Sequence, residues 1–127
     1  MNNLAKKYRN VQHSTTDKGG VLLLLHDGIL RELRKAQEAF SEPHGGELSL
    51  LKAQMGVVEL DRTLNFEAGP ELADSLHNLY LHMLWVMSEA LEKRDALGLA
   101  PVIKMLGELR EAWSVACTET RQAKRAV

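Results

Sequence analysis

The sequence predicts an all-α protein, an antiparallel four-helix bundle with a flexible N-terminal arm. Leu, Ala, Glu, Lys, Arg, Gln and Met dominate the 127 residues, while only three prolines, two tyrosines and two phenylalanines occur. That is a helix-forming composition with little strand signal. Apolar residues recur at spacings of three and four through four long segments, the period of a helix with one buried face. Gly, Pro and capping residues interrupt the pattern at Asp17 to Gly20, Ser41 to Gly46, Asn65 to Pro70 and Lys93 to Asp95. The resulting connections of about 3 to 6 residues favour antiparallel neighbours.

Residues 1–16 read as the arm and 17–127 as a single bundle domain. The first bundle helix is expected from a Thr16 or Asp17 cap to Phe40, with Leu22, Leu25, Ile29, Leu33, Ala36 and Phe40 along one face. The second, about Glu47 to Leu64, carries Leu50, Ala53, Val57, Leu60 and Leu64 as a coiled-coil-like seam. The third opens at Pro70, where a missing N–H costs nothing, and reaches Lys93 with Leu72, Leu76, Leu79, Tyr80, Met83, Met87 and Ala90 inward. The fourth follows an Asp95 cap and presents Leu99, Val102, Ile103, Leu106, Leu109, Trp113 and Ala116. Its basic end, with Arg121, Lys124 and Arg125, is expected to fray. Pro101, six residues past the cap, would cost roughly 3 kcal/mol in a helix interior, so a kink or a late start is expected there.

Composition and motifs exclude most chemistry. Sixteen basic against seventeen acidic residues give a net charge of −1, with no long-range attraction to nucleic acid or anionic lipid. The one cysteine, Cys117, has no internal partner, and no Asn-x-Ser/Thr acceptor occurs, so a cytoplasmic setting is expected. The longest apolar run near the N-terminus, Val21 to Leu25, is too short for a signal peptide or a membrane span. There is no Glu-x-x-His among His13, His26, His44, His77 and His82. His77 and His82 stand about 140° apart on one helix and cannot share a ligand. Gly19-Gly20 and Gly45-Gly46 are isolated turn pairs, not a phosphate-binding loop. Cys117 continues the fourth helix's buried stripe, and the residues after His77 lack the lysine and glycine of a phosphotransfer histidine. No metal, cofactor or enzymatic activity is expected.

What remains is apolar surface beyond the needs of a bundle. The second helix carries another stripe, Leu48, Leu51, Met55 and Val58, turned about 100° from its core seam. The third adds Leu81, Leu84, Trp85 and Val86, and a tryptophan alone presents roughly 200 Å². Such surface either lies under a neighbouring helix or the arm, or forms a groove for an amphipathic partner helix, with Met55, Met83 and Met87 adapting to it.

From Val11 to about Cys117 the chain resembles the FliS family of flagellar export chaperones. The resemblance is carried by Leu22-Leu23-Leu24-Leu25-His26-Asp27-Gly28-Ile29, by Lys52-Ala53-Gln54 with Glu59-Leu60 and Leu64-Asn65-Phe66-Glu67, by Leu72-Ala73, Leu76, Leu79-Tyr80 and Met83, and by Asp95 through Glu108-Leu109-Arg110-Glu111-Ala112-Trp113. These four segments stand in the family's order. The resemblance implies an antiparallel bundle that holds the disordered C-terminal segment of flagellin in the cytosol and keeps it from polymerising before export. It also implies that the N-terminal arm, through Tyr8, covers a groove or docks on the export gate. Several positions depart from the family. Lys18 replaces the proline opening the first helix, His26 an aromatic, Gly56 an isoleucine, and Ala100-Pro101 two glutamates. Leu81 replaces an acidic residue, and Leu84-Trp85-Val86 replace polar residues. Local looseness is expected around Gly56, and the last group points to an altered client or a self-association face. The expected partner-binding residues are Tyr8, Leu48, Leu51, Met55, Val58, Leu81, Leu84 and Trp85. The alternative is a divergent paralogue, a homodimeric adaptor for another secreted or regulatory helix.

Overall fold

The computed structural model describes residues 3–12 and 20–126, with side chains over 4–12 and 20–118. The chain is helical: α1 (Asn3–Gln12), α2 (Gly20–Ala39), α3 (Glu47–Arg62), α4 (Pro70–Lys93), a 3₁₀ turn (Ala96–Leu99) and α5 (Ala100–Ala126). The bundle consists of α2 to α5, with α2 packed on both α3 and α5, and α3 on α4. The α4–α5 seam is the loosest, and α1 lies across it in contact with both helices. Within the expected arm, residues 3–12 are therefore a packed helix. The physical reason is in its spacing. Ala5, Tyr8, Val11 and Gln12 fall on one face and are all buried, and Tyr8 meets fully buried Trp113 edge to face at 5.3 Å between ring centroids. Ten residues seldom hold a helix alone, so packing rather than propensity makes this one. The Thr16 or Asp17 cap and Lys18 lie outside the described residues.

Each bundle helix buries the face its spacing dictates: Leu22, Ile29, Leu33 and Ala36 in α2, Leu50, Ala53, Val57 and Leu60 in α3, Leu76, Tyr80, Met83 and Met87 in α4, Val102, Leu106 and Trp113 in α5. Helix α4 opens on Pro70 and closes at Arg94, whose left-handed backbone (φ 51°) ends the helix. The Arg94 guanidinium then ties down the α2–α3 connection. Its Nη2 donates to the carbonyls of Phe40 at 3.1 Å, Glu42 at 2.5 Å and Gly45 at 2.8 Å, and it lies 5.1 Å from the centroid of the Phe40 ring.

Four local expectations resolve differently. The end of α3 comes at Arg62, two residues early, with Thr63 Oγ1 donating to the Leu60 carbonyl. Asp95 precedes a 3₁₀ turn and makes no side-chain cap, and α5 begins only at Ala100. Pro101 thus occupies the first α-helical turn, where no backbone N–H is needed, so the late start and not a kink accommodates it. The tail does not fray out of helix: α5 continues to Ala126. Gly56 is not a loose spot either. It is buried, and a Cβ there would overlap Ile29 Cγ1 and stand 2.9 Å from its Cδ1. The volume absent at Gly56 is filled from α2 by Ile29.

A buried polar junction fixes α1. Gln12 Nε2 donates to the Leu60 carbonyl at 2.7 Å and to Thr63 Oγ1 at 2.6 Å, while the Tyr80 hydroxyl donates to Gln12 Oε1 at 2.5 Å. The Asn65 N–H adds a bond to the Val11 carbonyl at 2.7 Å. Every polar atom of the Gln12 amide is thereby used, which is what permits its complete burial.

Candidate partner-binding face

Two side-chain contacts set the register of α3 against α4. Gln54 Nε2 donates to Ser88 Oγ at 3.1 Å, and His77 Nδ1 donates to Asp61 Oδ1 at 2.7 Å. Because the helices run antiparallel, Met55 then stands level with Trp85 and Val58 level with Leu81. Leu48, Leu51, Met55 and Val58 follow one another over about 15 Å of helix, pointing away from the α3 core seam, and are 44 to 64% exposed. On α4, Leu81 is 47% and Trp85 63% exposed. Leu84 lies between the two rows, partly buried and packed on the core, as is Val86. His82 stacks beside Trp85, with ring centroids 6.5 Å apart and planes 23° from parallel.

Six of the eight expected residues therefore share one open apolar face, and Leu84 forms its floor. Tyr8 does not belong to it. It is buried on the inward face of α1 against Trp113, and burial raises its phenol well above the ordinary tyrosine range. Helix α1 leaves the α3–α4 face uncovered because it lies on the other flank of α4: Leu72, which it approaches, and Leu81 are nine residues apart, half a turn around the helix.

That other flank holds a second apolar groove of about 230 Å³, with Tyr8, Leu72, Leu76 and Leu109 among its lining residues and Leu4 and Val115 at its edge. Sequence reasoning missed it, although Leu4, Ala5 and Tyr8, spaced one and three apart, were a usable signal. Two polar contacts of α2 are made within the bundle. His26 is fully buried, donates from Nδ1 to the Leu22 carbonyl at 2.7 Å and leaves Nε2 without a partner among the described residues. Desolvation holds its pKa below the ordinary histidine value. Arg110 Nε donates to Asp27 Oδ1 at 2.9 Å, and that hydrogen bond lowers the Asp27 pKa. Among the described residues no group of three or more His, Cys, Asp or Glu side chains is placed to hold a metal ion, and no helix is long and apolar enough to cross a membrane.

A sequence profile described as flagellar protein FliS matches residues 1–120. The chain belongs to the FliS family. A curated relative, the flagellar secretion chaperone FliS of Bacillus subtilis (strain 168), is 30% identical over 117 residues, covering 91% of this chain and 86% of the relative. The FliS resemblance read from four segments thus extends across α1 as well, the helix that closes the α4–α5 seam.

Proposed function

We propose that this FliS-family chain is a cytoplasmic flagellar secretion chaperone, without enzymatic activity, that binds the disordered C-terminal segment of flagellin, prevents premature polymerisation and delivers the client to the export apparatus. The observation that carries the reading is the open α3–α4 face. A folded domain normally buries a row such as Leu48, Leu51, Met55 and Val58, and here the row is paired with Leu81 and Trp85 and left in solvent. An amphipathic helix with anchors at three and four spacing fits such a face. A client segment that folds as it docks hides its own apolar residues on the chaperone while giving up ordering entropy, which keeps the complex releasable.

Calorimetric titration with a flagellin C-terminal peptide tests this. One-to-one binding is expected, and Trp85→Glu is expected to weaken it by at least 30-fold, about the 2 kcal/mol of an interface hot spot. Absence of binding at high micromolar concentration contradicts the reading. A second reading, an adaptor for a different secreted or regulatory helix, is favoured by Leu81 and Trp85 at positions where the family carries polar residues; binding of such a helix with no affinity for flagellin decides for it. Docking of the N-terminal arm on the export gate through Tyr8 requires α1 to lift from the α4–α5 seam first, because Tyr8 is buried there.

A further inference from the structure

Negative charge stands at both ends of the open α3–α4 face. Helices α3 and α4 together carry seven acidic against three basic residues, while the whole chain carries seventeen against sixteen, so the rest of the molecule is net basic. The outermost row of α4 is Asp74, Asn78, Leu81, Trp85, Ser88 and Glu92, at spacings of four, three, four, three and four. Asp74 and Glu92 are five full turns and about 27 Å apart, so they point the same way, and Leu81 and Trp85 lie between them within about 20° of that direction. Both carboxylates are exposed, and neither has an ion-pair partner among the described residues. The cations of the two helices are engaged or turned away. Arg62, which ends the α3 row, pairs with Glu59 at 3.2 Å, and Lys93 pairs with Glu89 at 3.2 Å. Lys52, one turn before Gly56, stands on the α2 side of α3.

We propose that this face selects client helices whose apolar row is bracketed by Lys or Arg, one base for Asp74 and one for Glu92. The inference rests on the reading of the face as the client site. A client helix laid along α4 sets its apolar anchors over Leu81, Trp85 and Met55. Its bracketing bases then stand about 14 or 18 positions apart, spacings that return both to the apolar side of the helix, the shorter one reached by outward-leaning lysine stems. Affinity comes from the apolar row, and the brackets discriminate. An exposed ion pair adds little by itself, but an acid in the same place meets a like charge, so the difference between clients is larger than either effect alone.

Three synthetic helices with one common apolar row and the two bracketing positions set to Lys, Gln or Glu test it, each titrated calorimetrically into the full chain. In about 50 mM salt the Lys peptide should bind tightest and the Glu peptide weakest, about fivefold apart at each step. In about 500 mM salt, where exposed charges are screened within about 4 Å, each step should shrink to under about twofold. Asp74→Lys with Glu92→Lys should reverse the order, with helical circular dichroism unchanged because both positions are exposed. Glu38→Lys with Glu108→Lys, the same change of net charge at exposed positions of α2 and α5, should leave the order as in the wild type. Equal affinities in low salt, an order that survives Asp74→Lys with Glu92→Lys, reversal by the α2 and α5 changes, or no binding of the Lys peptide at about 100 µM overturns the bracketing. A flagellin C-terminal peptide titrated alongside keeps the two levels apart. If it fails to bind while the order and its reversal hold, the bracketing stands and flagellin is not the client; if it binds while the three helices do not differ, flagellin remains the client and the bracketing falls.

Discussion

Gly56→Ala is expected to change sign with the residue at position 29. In the native chain two effects oppose each other. Alanine in a helix interior is favoured over glycine by about 1 kcal/mol. The new Cβ, however, overlaps Ile29 Cγ1, an atom one bond from the α2 backbone-proximal Cβ and unable to swing away, and lies 2.9 Å from Cδ1. Overpacking of this kind costs about 1 to 3 kcal/mol, so the net effect is a loss of about 1 kcal/mol. In an Ile29→Ala background both obstructing atoms are gone. The remaining neighbour, Leu25 Cδ1 at 3.6 Å, is in ordinary contact, and Gly56→Ala should then stabilise by about 1 kcal/mol. Urea denaturation of the four proteins gives a coupling near 2 kcal/mol. Ile29→Ala alone should cost about 2 to 5 kcal/mol, since Ile29 is only 3% exposed. If Gly56→Ala has the same effect in both backgrounds, with coupling under about 0.5 kcal/mol, the two positions do not trade volume and the account of α2–α3 packing is wrong.

Acid sensitivity should trace to His26. Burial lowers its folded-state pKa, so below the ordinary histidine pKa of about 6.5 the unfolded chain binds the proton the folded chain refuses, and stability falls as pH drops through that window. His26→Phe should remove this slope and the unpartnered Nε2; equal slopes in denaturation midpoints from pH 7.5 to 5 for the two proteins would contradict it. The Asp27 contribution is separate. Arg110 lowers its folded pKa, so the stability it adds is present above the unfolded value of about 3.9 and lost only as pH falls below it. Gln12→Ala should cost about 2 to 3 kcal/mol by stranding the buried Tyr80 hydroxyl, and should speed amide exchange across residues 3–12 before the bundle opens; uniform exchange would mean α1 is not held at that junction. Arg94→Ala removes three carbonyl contacts of the α2–α3 connection and should lower stability by about 1 to 3 kcal/mol, with cleavage by protease appearing first at residues 41–46; unchanged stability would reduce Arg94 to a helix terminator.

The bundle was legible because each helix obeys one period: the buried rows of α2 to α5 are those their three-four spacing selects, and Pro70 marks the start of α4. The surplus stripe of α3 was legible for the same reason, since two rows 100° apart cannot both face one core. Other features depended on partners distant in sequence. Helix α1 has an apolar spacing but is too short to be stable alone, and it is held by Leu60, Thr63, Tyr80 and Trp113. Gly56 signals a void until Ile29, 27 positions earlier, is seen to occupy it. Leu84 reads like Leu81 along the chain but turns toward α3 and the core. The Asp95 to Pro101 stretch carries both a cap residue and a late-start proline, and only the 3₁₀ turn between them reconciles the two.

The two tryptophans allow a direct measurement of client docking. Trp113 is fully buried and Trp85 is 63% exposed, so a change in emission on titrating a flagellin C-terminal peptide reports the α3–α4 face. The account predicts a blue shift and loss of acrylamide quenching that saturate at one peptide per chain, both abolished by Met55→Glu. A peptide that binds while Trp85 remains as red-shifted and quenchable as before would place the client elsewhere and contradict the account.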